Sequence, residues 1–119
     1  MLAVLAACAA PQRPPAASPA EAAGAALSRF VGAVDGGRWP EAWSLLSARW
    51  RARETPERLA ADLAASGPVG SSAVARARAA LAAGALPDVK GRSASLAVAQ
   101  GRAAALVEED GAWRVDALE

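Results

Sequence analysis

Histidine and tyrosine are absent from this chain of 119 residues, and cysteine occurs once, at Cys8. The lack of histidine removes the commonest metal ligand and the side chain best suited to proton transfer near neutral pH. A single cysteine excludes an internal disulfide framework. Large apolar side chains are also scarce. The hydrophobic share is 54%, but 36 of those residues are alanine and only 28 are larger, five of them within the first eight positions. The remaining 23 can support one small core, so one domain is the ceiling and its stability margin is modest. Charge is balanced, with 13 basic and 12 acidic residues giving +1. No basic stripe and no acidic tail stand out along the chain, which argues against nucleic acid as a partner.

The chain opens with a short apolar run, Met1 to Cys8, ending in small residues. It is too short for a transmembrane helix, which needs about 20 apolar residues, and reads as the end of an export signal. Leu5-Ala6-Ala7-Cys8 resembles the bacterial lipobox. That resemblance implies cleavage after Ala7 and lipidation of Cys8, which becomes the new N-terminus. Signal peptides begin with a positively charged region, and none is present here, so the expected initiator lies upstream of Met1. The other reading is a cytosolic N-terminus with Cys8 as a buried small hydrophobe. Residues 9–19 follow as a linker with Pro11, Pro14, Pro15 and Pro19, a density that favours extended polyproline II. Ala9 stands where the lipoprotein pattern would carry an inner-membrane retention Asp, which points to the outer membrane. The expected organisation is a signal over 1–8, a linker over 9–19 and one domain over 20–119, exported and facing the periplasm.

Within that domain the punctuation is chemical. Ser18-Pro19-Ala20-Glu21 is a capping box with proline at the first helical position. It opens a helix carrying Ala23, Leu27, Phe30, Val31 and Val34 at helical spacing, stopped by Gly36-Gly37. Trp39-Pro40-Glu41 starts a second helix, which sets Trp39, Trp43, Leu46 and Trp50 on one stripe. Thr55-Pro56-Glu57 caps a third with Leu59 and Leu63 one turn apart, ended by Gly67-Pro68. Residues 71–83 read as a fourth helix capped by Ser71 or Ser72 and closed by Gly84, since alanine favours helix over strand. A strand reading would set Val74, Arg76, Arg78 and Ala80 in alternation. The last third switches to period two. Asp110-Gly111 is a two-residue hairpin turn that sets Leu106 opposite Val115 and Glu108 opposite Trp113. A three-residue loop over Ala99-Gln100-Gly101 brings Ala94, Leu96, Val98, Leu106, Trp113 and Val115 onto one face. A short strand over Leu86–Lys90 precedes these three. The expected class is α+β, with three to four N-terminal helices packed on one face of a C-terminal antiparallel meander of three to four strands.

Three segments carry a family resemblance: Phe30 to Gly37, Trp39-Pro-Glu-Ala-Trp-Ser-Leu-Leu-Ser47, and Val107-Glu-Glu-Asp-Gly-Ala-Trp-Arg-Val115. Together they are similar to the nuclear-transport-factor-two-like domain, the SnoaL and ketosteroid-isomerase superfamily, in its small bacterial lipoprotein branch. The resemblance covers about half of the domain. It implies helices before a sheet and a cone-shaped pocket between them. The helix read over 71–83 departs from it, because the family carries long strands there, and a curtailed sheet makes that pocket shallow or absent. Isomerases of this superfamily use an Asp base with a Tyr or a protonated acid as oxyanion donor. With no tyrosine present, the resemblance implies a fold without its catalytic residue types.

The leading expectation is therefore a non-enzymatic envelope module, tethered to the membrane through Cys8, with no cofactor, no metal and no catalytic residue. Trp39, Trp43, Leu46, Trp50, Leu106, Trp113 and Val115 are read mainly as core, which an alanine-rich interior needs. The sharper reading makes them an aromatic pocket for a small apolar ligand, or a groove for an envelope protein. The alternative from another class is a small-molecule enzyme with Asp35 or Asp62 as general base. A third is self-association through an exposed sheet edge. Asp116, alternating with Arg114 inside a strand, is expected to face solvent. Glu108, Glu109 and Asp110 are three acids in a row, but successive strand residues point to opposite faces and cannot converge on one ion. The cluster Arg49, Arg51, Arg53 and Arg58 suits either anionic head groups or a solvated helix face, and the second is preferred.

Overall fold

A computed structural model describes residues 17–119. Ala7, Cys8 and nearly all of the linker lie outside the described residues. Helix α1 spans Pro19–Asp35 and opens as its capping box dictates, with Ser18 Oγ accepting the Glu21 N–H at 3.2 Å. Its end is a Schellman closure: Arg38 N–H reaches Ala33 O at 2.8 Å and Gly37 N–H reaches Val34 O at 3.1 Å. The left-handed residue this closure needs is Gly37, at φ +67°. Leu27, Phe30 and Val31 lie on the buried face of α1.

The second helix expected from the tryptophan stripe is broken in two. Helix α2 covers only Trp39–Ser44 and α3 only Ala48–Arg51. Between them the backbone at Ser47 is extended (φ −62°, ψ 159°) and pairs with a distant strand. Val115 N–H donates to Leu45 O at 2.7 Å, and Ser47 N–H donates to Val115 O at 2.9 Å. Periodicity cannot foresee this break, because its cause is an edge strand that needs hydrogen-bond partners.

Helix α4 spans Pro56–Ser66, with Thr55 Oγ1 accepting the Arg58 N–H at 3.1 Å. Helix α5 spans Pro68–Ala82 and so starts three residues before the expected Ser71. One Gly-Pro pair ends α4 and begins α5: Gly67 takes φ +53°, and Pro68 occupies the first turn, where its missing N–H costs nothing. Ser71 is therefore not the cap. Its hydroxyl donates back to Gly67 O at 3.3 Å.

Strands β1 (Asp88–Lys90), β2 (Ser93–Ala99), β3 (Arg102–Glu109) and β4 (Ala112–Leu118) form one antiparallel sheet in the order β1-β2-β3-β4. The chain is thus α+β, with five helices among the described residues preceding a four-stranded meander. Strand β1 is shorter than expected, and Leu86 lies outside it, exposed. Asp110 (φ +52°) and Gly111 (φ +77°) make the tight turn, setting Leu106 opposite Val115 and Glu108 opposite Trp113. The preceding hairpin reaches its expected face by a different device. Ala99 pairs with Arg102 across Gln100-Gly101, and Val98 is the extra residue of a bulge between Ala97 and Ala99. Ala94, Leu96, Ala104, Leu106, Trp113 and Val115 are consequently all buried on one face. Helix α1 packs on β4 and β1, α5 packs on β2, and α4 leans on α2 and α5.

Candidate functional site

A second bulge, in β4, begins the site. Ala105 pairs with Ala117 and Leu106 with Val115, which leaves Asp116 as an extra residue. Bulges re-aim a side chain away from strict alternation. Asp116 is accordingly not the solvent-facing residue that its alternation with Arg114 suggested. Its carboxylate accepts Ser47 Oγ–H at 2.7 Å, Arg49 Nε–H at 2.6 Å and Arg49 Nη2–H at 2.9 Å. Its backbone carbonyl accepts the Trp50 indole N–H at 2.5 Å. The Arg49 hydrogen bonds, helped by the Ser47 hydroxyl, hold the Asp116 carboxyl below the usual range against the opposing effect of burial. Ser47 itself is 1% exposed, so this contact satisfies a buried hydroxyl.

Beside this corner lies an open cleft of about 170 Å³. Its apolar walls come from Phe30 of α1, Leu46 and Trp50 at the helix break, Leu59 and Leu63 of α4, and Leu118 of β4. Two acids, Asp116 and Glu54, complete the lining with Val115 and Ala117. Glu54 lies in the loop between α3 and α4. Its backbone carbonyl accepts the Trp43 indole N–H at 2.7 Å, but its carboxylate Oε2 is shielded from water and receives no N–H or hydroxyl donor among the described residues. Burial, followed by a shared-proton hydrogen bond and like charge from the Asp62 carboxyl, pushes the Glu54 carboxyl above its ordinary range.

The tryptophan stripe therefore does not act as one wall. Leu46, Trp50 and Val115 meet at the cleft, while Trp113 and Leu106 are buried in the core. Trp43 is half-buried and tied to Glu54. Trp39 lines a separate opening of about 300 Å³ with Val34, Asp35, Val74 and Arg78. Neither acid named as a general base lines the apolar cleft. Asp35 is exposed and paired with Arg78, whose Nε–H donates to it at 3.0 Å. Asp62 is exposed on α4. Of the acidic run, Glu109 accepts the Ala48 N–H at 2.9 Å and faces Arg51 at 3.8 Å. The arginine cluster is likewise divided, Arg49 going to Asp116 and Arg51 to Glu109. Among the described residues no group of acids is arranged to hold a metal ion, and no helix is long and apolar enough to cross a membrane.

Glu54 was missed in the sequence, although a local signal for it exists. In a capped helix the residue before the cap commonly packs its apolar side chain on the fourth helical residue. Thr55 is the cap, so these positions are Glu54 and Leu59, and both line the cleft. A carboxylate therefore stands where an apolar side chain would suit the helix start. Comparison with protein-family models, with curated proteins and with solved structures finds no match to this chain.

Proposed function

We propose that the chain is a lipid-anchored lipoprotein of the bacterial envelope, whose folded unit binds a small apolar ligand and does not catalyse a reaction. The observation that carries the binding half is the cleft of about 170 Å³, walled by six large apolar side chains and open to solvent. Sites for drug-sized ligands measure roughly 300–1,000 Å³, whereas a cavity of about 150 Å³ suffices for a benzene-sized molecule. The ligand, or the part of it that is enclosed, is then about the size of one ring. The anchoring half rests on Leu5-Ala6-Ala7-Cys8 and the proline-rich linker behind it. In this reading cleavage follows Ala7, the acyl chains on Cys8 make the membrane contact, and Ala9 favours the outer membrane of the periplasm-facing pair. The domain is taken as a curtailed member of the nuclear-transport-factor-two-like superfamily. Helices preceding a bulged antiparallel sheet, with a cleft between the layers, support that kinship, while α5 stands where the superfamily has strands.

The enzyme alternative draws less support. Asp35 is committed to an exposed ion pair, and Asp62 is exposed, so neither has the dry surroundings that would tune a general base.

Two experiments test the reading. Cells fed a radioactive fatty acid label the wild-type protein and leave Cys8→Ala unlabelled; equal labelling of the variant overturns the anchor. Toluene at millimolar concentration raises the Tm of the wild-type protein, as binding to the native state alone requires. Leu63→Trp, which fills the cleft, abolishes that rise. A rise that persists in Leu63→Trp assigns the ligand elsewhere and overturns the cleft as the site.

A further inference from the structure

The cleft carries information about ligand charge as well as ligand size. We infer that its ligand is a small organic cation, an amine or ammonium group on an apolar arm of about one ring, with the charged end seated at Glu54. This inference rests on the cleft being the binding site and deepens that reading.

The first argument is charge complementarity. The charged residues lining the cleft are both acids, Glu54 and Asp116, and none of the basic residues is among its walls. The second concerns how the two acids are occupied. Asp116 already accepts three hydrogen bonds from Ser47 and Arg49, so its charge is answered inside the protein. Glu54 differs, since its Oε2 is shielded from water, receives no N–H or hydroxyl donor among the described residues, and faces the Asp62 carboxyl, which can answer it only by sharing a proton. A shielded carboxylate oxygen without a donor is costly, and an incoming N–H donor removes that cost.

The choice between a neutral donor and a cation follows from the neighbours. Asp62 on α4 faces Glu54 within hydrogen-bonding reach and as a like charge, and Arg58 on the same helix offsets it only in part. Burial and Asp62 together raise the Glu54 carboxyl, which means that its ionised form is the disfavoured one. A bound cation stabilises that form, whereas a neutral hydroxyl does so only weakly. The apolar walls, Phe30, Leu59, Leu63 and Leu118, accept the rest of the ligand. An anionic ligand would meet the Glu54 carboxylate and no cation in the lining, so fatty acids and aromatic carboxylates are disfavoured as ligands.

The test uses the full chain carrying Cys8→Ala and three probes of nearly equal shape: benzylammonium, benzyl alcohol and phenylacetate. Calorimetric titration at pH 7 should rank benzylammonium about tenfold tighter than benzyl alcohol, the worth of one charge-assisted hydrogen bond over a neutral one, with phenylacetate not bound. Glu54→Gln should erase the preference for the amine, bringing its affinity down to about that of the alcohol. In the unsubstituted cleft the preference should shrink as the pH is lowered toward the ordinary glutamate range, because protonated Glu54 no longer attracts a cation. If Glu54→Gln does not fold, Asp62→Asn at its exposed position carries the same test, and the preference for the amine should fall about twofold to threefold. Equal or tighter binding of the alcohol, or a preference untouched by both substitutions, overturns the cation while leaving the cleft as a site. Failure of all three probes to bind overturns the cleft reading itself.

Discussion

Two acids line the same cleft, Asp116 from β4 and Glu54 from the loop between α3 and α4, and the protein treats them oppositely. Asp116 receives a buried hydroxyl and a guanidinium, and its pKa falls. Glu54 is left with a shielded oxygen and an acidic neighbour, and its pKa rises. The first arrangement fastens the helix break to the sheet edge, because Ser47 and Arg49 flank the break and Asp116 sits on the outer strand. The second fastens nothing within the domain. A fold commonly satisfies its buried polar groups; among the described residues Arg51 Nε, Arg114 Nε and Glu54 Oε2 are left without a donor or acceptor, and of these three Glu54 lines the apolar hollow.

The contrast can be broken most forcefully at Asp116. Replacing it by alanine strands the buried Ser47 hydroxyl, and unfolding in urea should show a loss of about 2 kcal/mol. Most of that loss belongs to Ser47, because Arg49 is 60% exposed and its ion pair contributes little. If the loss is below about 0.5 kcal/mol, the corner is not fastened as described.

Smaller, but more diagnostic, is the pH profile of stability. A lowered carboxyl stabilises the fold fully above its unfolded value, about 3.9 for Asp, and loses that contribution as the pH falls through the lowered native value. A raised carboxyl carries a cost that is complete above its native value and is relieved as the pH falls toward the unfolded value, about 4.3 for Glu. The urea midpoint should therefore rise slightly on acidification from neutrality, pass a shallow maximum near about pH 4, and then fall. Asp116→Asn should flatten the acid limb, and Glu54→Gln the neutral limb. The smallest effect expected is that of Glu54→Gln at pH 7, a gain of no more than about 0.5 kcal/mol. A marked loss there would mean that the Glu54 carboxylate has a partner within the protein.

How much of this was legible beforehand depends on the range of the signal. The caps at Ser18 and Thr55 and the Asp110-Gly111 turn are local chemistry, and the side chains that make them sit within three residues of the backbone they serve. The buried sheet face was also readable, since register follows from alternation once a turn is chosen, even though a bulge at Val98 and not a longer loop supplied the offset. The tryptophan stripe misled. It implied one continuous helix and one aromatic wall, whereas the break at Leu45–Ser47 sends Trp50 to the cleft and leaves Trp39 beside a different opening. Asp116 was unreadable for a related reason, since its surroundings come from residues far off in the chain, Ser47 lying 69 positions away.

The sequence by itself settled that helices precede strands, the caps at Ser18 and Thr55, and which face of the sheet is apolar, because each of those is decided by neighbours along the chain. Only the tertiary structure decided where a helix had to break, which acid receives donors from the protein and which does not, and that both line one hollow. The physical reason is that an outer strand's unpaired backbone groups and a carboxylate's solvation are matters of what lies across space. Charge and hydrogen-bonding capacity are written in the residues, but whether they are satisfied depends on the packing.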